Sequence, residues 1–305
     1  MKVFTIIVTY NGMKWIDTCL RSIVNQSEVI VVDNNSSDDT LFCIKANFPT
    51  VIILPQTENL GFGLANNKGI EYAIKNDADA VFLLNQDAFA QMDCIANLKK
   101  SSKDNPDYGI ISPVHLNGDG TEVDYTFLKV TSPFSAQNLI SDLILRRFSK
   151  NIYPLNFINA AAWFIPKAVF YKVGGFDPLF FLYGEDDNYC QRVLYHGFKI
   201  GIIPNATIFH DSNNSNYQDG VAGSEKYFRQ FRNSVYVKYA DVNTERYKKL
   251  RKFKRYVLKK AVVFMFTNKL EKCKLFFTNF KNINVLVVNK SVLMNRTQGS
   301  HYLNL

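Results

Sequence analysis

Val3-Phe4-Thr5-Ile6-Ile7-Val8-Thr9-Tyr10-Asn11-Gly12 is the stretch from which the fold is read. Residues 3–9 form a β-rich apolar run, Asn11-Gly12 closes it as a turn, and residues 15–24 carry apolar side chains at helical spacing. The chain therefore opens strand, turn, helix. The same unit recurs outward from there. Residues 29–32 read as a buried strand ending at Asp33, residues 38–46 as a helix opened by the cap signals of Ser36-Ser37-Asp38, and residues 51–54 as a third strand. A glycine-containing loop, a helix near residues 64–75 and a strand at 80–84 follow. Continuously apolar strands alternating with helices predict an α/β fold with a mostly parallel central sheet flanked by helices on both faces. Ligands of such sheets bind beyond the carboxyl ends of the strands, so the polar residues after each strand are the candidate site.

From residue 109 to 166 the pattern is less regular, with a strand at 110–111 and a stretch to 149 that reads as a loop or lid. Residues 224–240 and 244–277 read as helical. The expected organisation is a catalytic unit over 1–240 and a basic helical extension over 241–305. Residues 241–296 hold 15 Lys and Arg against 3 Asp and Glu, a net +12, whereas residues 1–240 hold 21 against 24, a net −3. A chain of 305 residues with 47% hydrophobic and 21% charged residues is a folded globular protein, neither disordered nor fibrous. Its five cysteines are scattered without a C-x-x-C pair, which predicts neither a disulfide framework nor a zinc site and points to a reducing, cytoplasmic compartment. The turn at Asn11-Gly12 cuts short any signal-like apolar run, and no run reaches the length of a membrane span.

Asp33, at the end of the second strand, suits a hydrogen bond from a base or ribose hydroxyl, or equally a turn cap. In Asn59-Leu60-Gly61-Phe62-Gly63-Leu64-Ala65-Asn66-Asn67-Lys68-Gly69, Asn66 stands where a dinucleotide fingerprint needs its last glycine, and the run follows the third strand, so that reading is rejected. Gly61 and Gly63 serve a turn or a close approach, with Asn66 and Lys68 facing the site from the next helix. Asp87, after the fourth strand in Asn85-Gln86-Asp87, can hold a divalent cation only with a partner, which His210 could supply after its own apolar strand. Glu185-Asp186-Asp187 lies among aromatic residues. Mutual repulsion and an apolar surround raise carboxyl pKa values toward the range of a general base, while the same acids suit a helix amino terminus.

Taken in order, these segments resemble glycosyltransferase family 2, the inverting enzymes of the GT-A fold, over roughly residues 1–239. The resemblance rests on residues 6–11, 31–36 and 59–63 with Asn67 and Gly69, on 85–87, on Gly174-Gly175-Phe176-Asp177, on Glu185-Asp186 with Arg192, on His210, and on Arg232-Asn233. Its nearest branch is the rhamnosyltransferase-like proteins of bacterial surface-polysaccharide synthesis. The resemblance implies a nucleotide-diphosphate donor, dTDP-rhamnose or a UDP-sugar, bound by Thr9, Tyr10, Asn11, Asp33 and Asn35, by Gly61, Phe62, Gly63 and Asn66, and by Asn85 and Gln86. It implies Mg²⁺ or Mn²⁺ on Asp87 and His210. It makes Asp186 the general base, with Glu185 beside it, and puts Trp163, Tyr183 and Asp187 against a glycan or lipid-linked glycan acceptor. Asn85 departs from the first acid of the usual D-x-D pair, and Asn188 stands where a further Asp is common.

Two other function classes fit the residues less well. A nucleotidyltransferase needs a Gly-rich basic loop after its first strand, where Tyr10-Asn11-Gly12-Met13-Lys14 offers one Lys. A nucleic-acid-binding protein could use the +12 tail, but the tail carries no recognisable zinc, helix-turn-helix or RNA-binding motif, and no nucleic-acid partner is expected. Its cations interleave with Tyr256, Val257, Leu258, Val262, Val263, Phe264 and Phe266. That pattern fits a helix lying on the anionic inner face of a membrane, and equally a solvated face of packing helices.

Overall fold

The computed structural model describes residues 1–132, 134–212 and 220–305. Its first half alternates as the sequence dictates: β1 (Val3–Thr9), α1 (Ile16–Ile23), β2 (Glu28–Asp33), α2 (Thr40–Asn47), β3 (Ile52–Pro55), α3 (Gly61–Lys75) and β4 (Ala80–Leu84). β1 pairs in parallel with β2 and β4, and β2 with β3. Alternate residues of these strands feed two separate cores. Ile30, Val32, Val81 and Leu83 face one side, packed with α3, while Val29, Val31, Phe82 and Leu84 face the other, packed with α1. A strand buried on both faces has no polar alternation to show, which is why these read as unbroken apolar runs.

β5 (Ala88–Ala90) and α4 (Cys94–Asp104) follow, and the stretch without clear periodicity then holds β6 (Tyr108–Asn117), α5 (Tyr125–Val130), α6 (Leu139–Leu145), β7 (Tyr153–Leu155) and β8 (Ala162–Pro166). In place of a two-residue strand and a loop, β6 runs for ten residues between β8 and β9. Ser112, Pro113 and His115 interrupt its apolar pattern, and it is inter-strand pairing that carries it through them. After α7 (Lys167–Lys172) and α8 (Glu185–Tyr195), β9 (Lys199–His210) completes the sheet. The strand order is β3-β2-β1-β4-β8-β6-β9-β5, with β7 also on β9. Among the described residues β1, β2, β3, β4, β6 and β9 share one direction, and β5, β7 and β8 oppose it.

Helices α9 (Glu225–Tyr239), α10 (Tyr247–Phe266), α11 (Leu270–Asn282) and α12 (Val285–Asn295) follow. The helical run expected over 244–277 breaks between α10 and α11, where Asn268 takes a left-handed φ of 56°. A third core around Val235, Tyr236, Leu250, Val257, Val288 and Val292 joins these helices to Phe180. The chain then returns to the sheet layers. His301 accepts a backbone hydrogen bond from Gly175 at 2.8 Å, and Leu303 is buried in the first core. Ser291, Asn295 and Tyr302 donate to one carboxylate oxygen of Asp177 at 2.5, 2.7 and 3.1 Å. The segment after residue 240 thus seals the layers before it, in addition to projecting from them. Among the described residues no helix is long and apolar enough to cross a membrane.

Candidate active site

The carboxyl ends of β1, β2 and β4 open on a cleft of about 370 Å³ lined by Tyr10, Asn34, Asn59, Gly61, Phe62, Asn85, Gln86, Asp87 and the loop from Phe181 to Tyr183. Its floor is bracketed by neutral hydrogen bonds. The Gln86 carboxamide oxygen accepts from the Thr9 hydroxyl at 2.7 Å and the Tyr10 N–H at 3.0 Å, tying the end of β4 to that of β1. Asn34 donates to the Gly61 carbonyl at 3.1 Å and accepts from the Leu60 N–H at 3.2 Å. Gly61 sits at φ +78°, and a Cβ there would lie 2.0 Å from the Phe181 carbonyl oxygen, so only glycine lets this loop close the cleft.

At the far rim, pairing of Ala88 with His210 across β5 and β9 brings the histidine beside Asp87. His210 Nε2 lies 3.5 Å from Asp87 Oδ1, and Nδ1 lies 3.3 Å from Oδ2 of the fully buried Asp124. Burial pulls the imidazole pKa down, but the two carboxylates outweigh it and lift His210 to about 9. Burial raises Asp124, and the His210 ring 3.3 Å away, with the hydrogen bonds from Thr126 and Phe127, overcomes this to hold it well below the usual carboxylate range. Neighbouring His115 is pushed down to about 3, by desolvation first and the charge on His210 second, and stays neutral. The carboxylate suits a hard divalent cation, and an imidazole beside it shifts the preference toward a transition metal such as Mn²⁺ over Mg²⁺. Among the described residues no group of three or more His, Cys, Asp or Glu could hold a metal ion, so any such ion needs a bound ligand and water to fill its shell.

A second cleft of about 630 Å³, lined by Tyr125, Thr126, Lys129, Val130, Phe157, Asn159 and residues 183–187, adjoins the first at Tyr183. Tyr183 and Gly184 both take positive φ, 69° and 96°, to turn the chain into α8. Asn233, on α9, pins that turn by donating to the carbonyls of Leu182 and Tyr183 at 2.7 Å each. Glu185, Asp186 and Asp187 then occupy the first turn of α8. Desolvation, then the charge of Asp186, raises Glu185, whose Oε2 has no hydrogen-bond partner among the described residues. Asp186 is half-buried and accepts the Asp187 N–H at 2.9 Å; desolvation raises it despite that bond. Desolvation and the charge of Asp186 bring Asp187 to about 7. The arrangement can take a proton from a hydroxyl in the second cleft while a leaving group sits in the first.

The family model of glycosyl transferase family 2 matches residues 5–168, more than half of the chain. The chain belongs to glycosyltransferase family 2. One relative is the low-salt glycan biosynthesis hexosyltransferase Agl10 of Haloferax volcanii, 27% identical over 64% of this chain and 62% of its own length. Another is the N-acetylglucosaminyl-diphospho-decaprenol L-rhamnosyltransferase of Mycobacterium tuberculosis, 25% identical over 70% of this chain and 76% of its own. The crystal structure of GalNAc-T7 with UDP, GalNAc and Mn²⁺ superposes with a TM-score of 0.57 at 15% identity, covering 78% of this chain and 47% of that one. The likeness shows the fold, which is GT-A.

Within this family 2 chain the expected residues divide. Tyr10, Gly61, Phe62, Asn85, Gln86 and Asp87 line the first cleft, Tyr183 both, and Glu185, Asp186 and Asp187 the second. Thr9 is buried and acts through Gln86, and the Asn11 side chain accepts the Ser37 N–H at 2.8 Å. Asn35 is exposed, with a left-handed φ of 66°. Four expectations need correction. Trp163 is wholly buried in β8 and stacked on Phe176 at 6.1 Å, so it cannot meet an acceptor. Asn66 is 1% exposed and donates to Phe62 within α3. Gly63 is buried against Phe176 and Glu185. Asp33 is 1% exposed and its carboxylate accepts the N–H and hydroxyl of Ser36, so it shapes the loop that Asn34 presents. Asn34, Asp124 and Asn233 were not expected as site residues. The signals were there: Asn34 adjoins Asp33, Asp124 precedes a short helix, and Asn233 sits in the Arg232-Asn233 pair.

Proposed function

We propose that this protein is an inverting glycosyltransferase that moves a sugar from a nucleotide-diphosphate donor to a hydroxyl of a glycan or lipid-linked glycan in cell-surface polysaccharide synthesis. The observation that carries the reading is the meeting of the two clefts at Tyr183, one reaching Asp87, which the buried His210 faces at 3.5 Å, the other holding the desolvated acids of α8. The donor lies in the first cleft, its nucleotide against Tyr10, Asn34 and Gln86. Asp87 and His210 would hold Mg²⁺ or Mn²⁺, which would supply positive charge against the departing diphosphate. Asp186, facing the second cleft, takes the proton of the acceptor hydroxyl as that oxygen attacks the anomeric carbon from the face opposite the leaving group. A single displacement inverts the configuration, and the shared rim holds donor and acceptor in register. The name of the mycobacterial relative favours a rhamnosyl donor such as dTDP-rhamnose, with a UDP-sugar as the alternative.

The α10–α11 hairpin supports a further partner, an anionic membrane surface that presents the lipid-linked acceptor. Val263, Met265, Phe266 and Leu270 are 51–81% exposed around its turn, with Lys259, Lys260, Lys269 and Lys272 alongside. Apolar insertion and headgroup attraction act together on such a tip. The family reading is tested by incubating the protein with a panel of nucleotide sugars and following release of nucleoside diphosphate. Release from one donor class, increased by a glycan acceptor, is expected; no release from any donor with Mn²⁺ and acceptor present overturns it. The membrane reading predicts salt-sensitive binding to phosphatidylglycerol vesicles that Phe266→Asp abolishes, and equal binding by that variant overturns it.

A further inference from the structure

Asp124 stands between the two halves of the site and belongs to neither cleft's lining. It is the N-cap of α5, the helix whose Tyr125, Thr126, Lys129 and Val130 wall the second cleft. Its two carboxylate oxygens have separate partners. Oδ1 accepts the Phe127 N–H at 2.8 Å and the Thr126 hydroxyl at 2.5 Å, which is the capping interaction. Oδ2 accepts the Ser212 hydroxyl at 2.9 Å and faces His210 Nδ1 at 3.3 Å. A cap needs one oxygen, and Ser, Thr or Asn supplies it as well as Asp does. A fully buried carboxylate is costly unless its charge is paired, so the second oxygen, turned to an imidazole, is the feature that capping leaves unexplained.

We infer that Asp124 is a positioning residue that keeps one proton of His210 on Nδ1, so that a cation beside Asp87 displaces the Nε2 proton to solvent and takes that lone pair. The inference rests on the metal reading proposed above. A metal-ligating imidazole needs its free nitrogen unprotonated, and an acceptor behind the other nitrogen fixes that tautomer and the ring's angle. The geometry makes the consequence of Asp124→Asn specific. The amide oxygen stays with Phe127 and Thr126 to keep the cap, so the NH₂ group takes the place of Oδ2 and faces Nδ1. Donor then meets donor unless Nδ1 gives up its proton, which leaves the hydrogen on Nε2, where the cation needs a lone pair. The same residue thus sets the metal-side tautomer and anchors the acceptor-side helix.

The test is Mn²⁺ binding by the full-length protein in the presence of UDP, read from the free-Mn²⁺ electron paramagnetic resonance signal, so that no turnover is involved. Asp124→Asn is expected to weaken binding about 10–100-fold. Thr126→Val removes a partner of Oδ1 alone and is expected to leave Mn²⁺ affinity unchanged. Equal affinity in wild type and Asp124→Asn, or equal losses in both variants, overturns the inference. Absence of Mn²⁺ binding by the wild type overturns the metal reading itself and the inference with it. Should Asp124→Asn fail to fold, ¹⁵N spectra of the four histidines in the Mg²⁺- and UDP-loaded wild type decide. His210 is expected to carry hydrogen on Nδ1 and none on Nε2, and the reverse pattern overturns the inference.

Discussion

The two clefts that meet at Tyr183 are built on opposite principles. In the first, polar side chains already have protein partners: Gln86 is held by Thr9 and Tyr10, Asn34 by Leu60 and Gly61, and Asp33 by Ser36. In the second, three acids sit in one helical turn with desolvation raising each of them, and Glu185 keeps an oxygen without a described partner. The contrast teaches a division of labour. Satisfied amides and hydroxyls fix a shape, which a donor needs, whereas an undersatisfied carboxylate retains the capacity to take a proton.

The strongest way to break this comparison is to neutralise the second cleft alone. Asp186→Asn is expected to lower kcat by roughly two to four orders of magnitude while donor affinity stays unchanged. Near-normal turnover would move the base to Glu185 or Asp187. The converse variant acts on the first cleft. Gln86→Ala strips the partner from the buried Thr9 hydroxyl and the Tyr10 N–H, and donor KM should rise about tenfold, the equivalent of about 1.4 kcal/mol, with kcat little altered. A fall in kcat without a change in KM would show that the bracket serves the chemistry and not the shape.

The smallest effect concerns stability. Asp187 has a folded-state pKa near 7 against an ordinary value of 3.8, so the folded protein holds a proton that the unfolded chain has released. Stability from this group is complete below about pH 4 and is lost as pH rises through about 7. Asp187→Asn should therefore match the wild type below about pH 4 and exceed its Tm by about 2–4 °C at pH 8, allowing for partial solvation of the side chain. A Tm difference independent of pH would sink the assignment.

How far the sequence could be read follows from the range of the interactions. β1 to β4 were legible because each strand and its covering helix carry their pattern within about a dozen residues. Asp87 and His210 were legible as a pair because each follows its own apolar strand. Trp163 was misplaced because an aromatic residue looks the same on a surface as in a stack, and only Phe176 and Tyr189 decide between them. Asp124 and Asn233 escaped for a related reason. Asp124 reaches Ser212 across 88 positions and Asn233 reaches Leu182 across 51, and no local period records such contacts.

The return of the segment around Tyr302 sets an order of events during synthesis. Asp177, beside the loop that shapes both clefts, receives its Tyr302 hydrogen bond from 125 residues downstream. At translation rates of about 5–20 residues per second, that partner follows Asp177 by roughly 6–25 s. The sheet from β1 to β4 is closed by residue 84 and can assemble while the ribosome is still at work. The aromatic loop waits for Tyr302, so the parallel strands can be in place well before the loop that closes both clefts has all its partners.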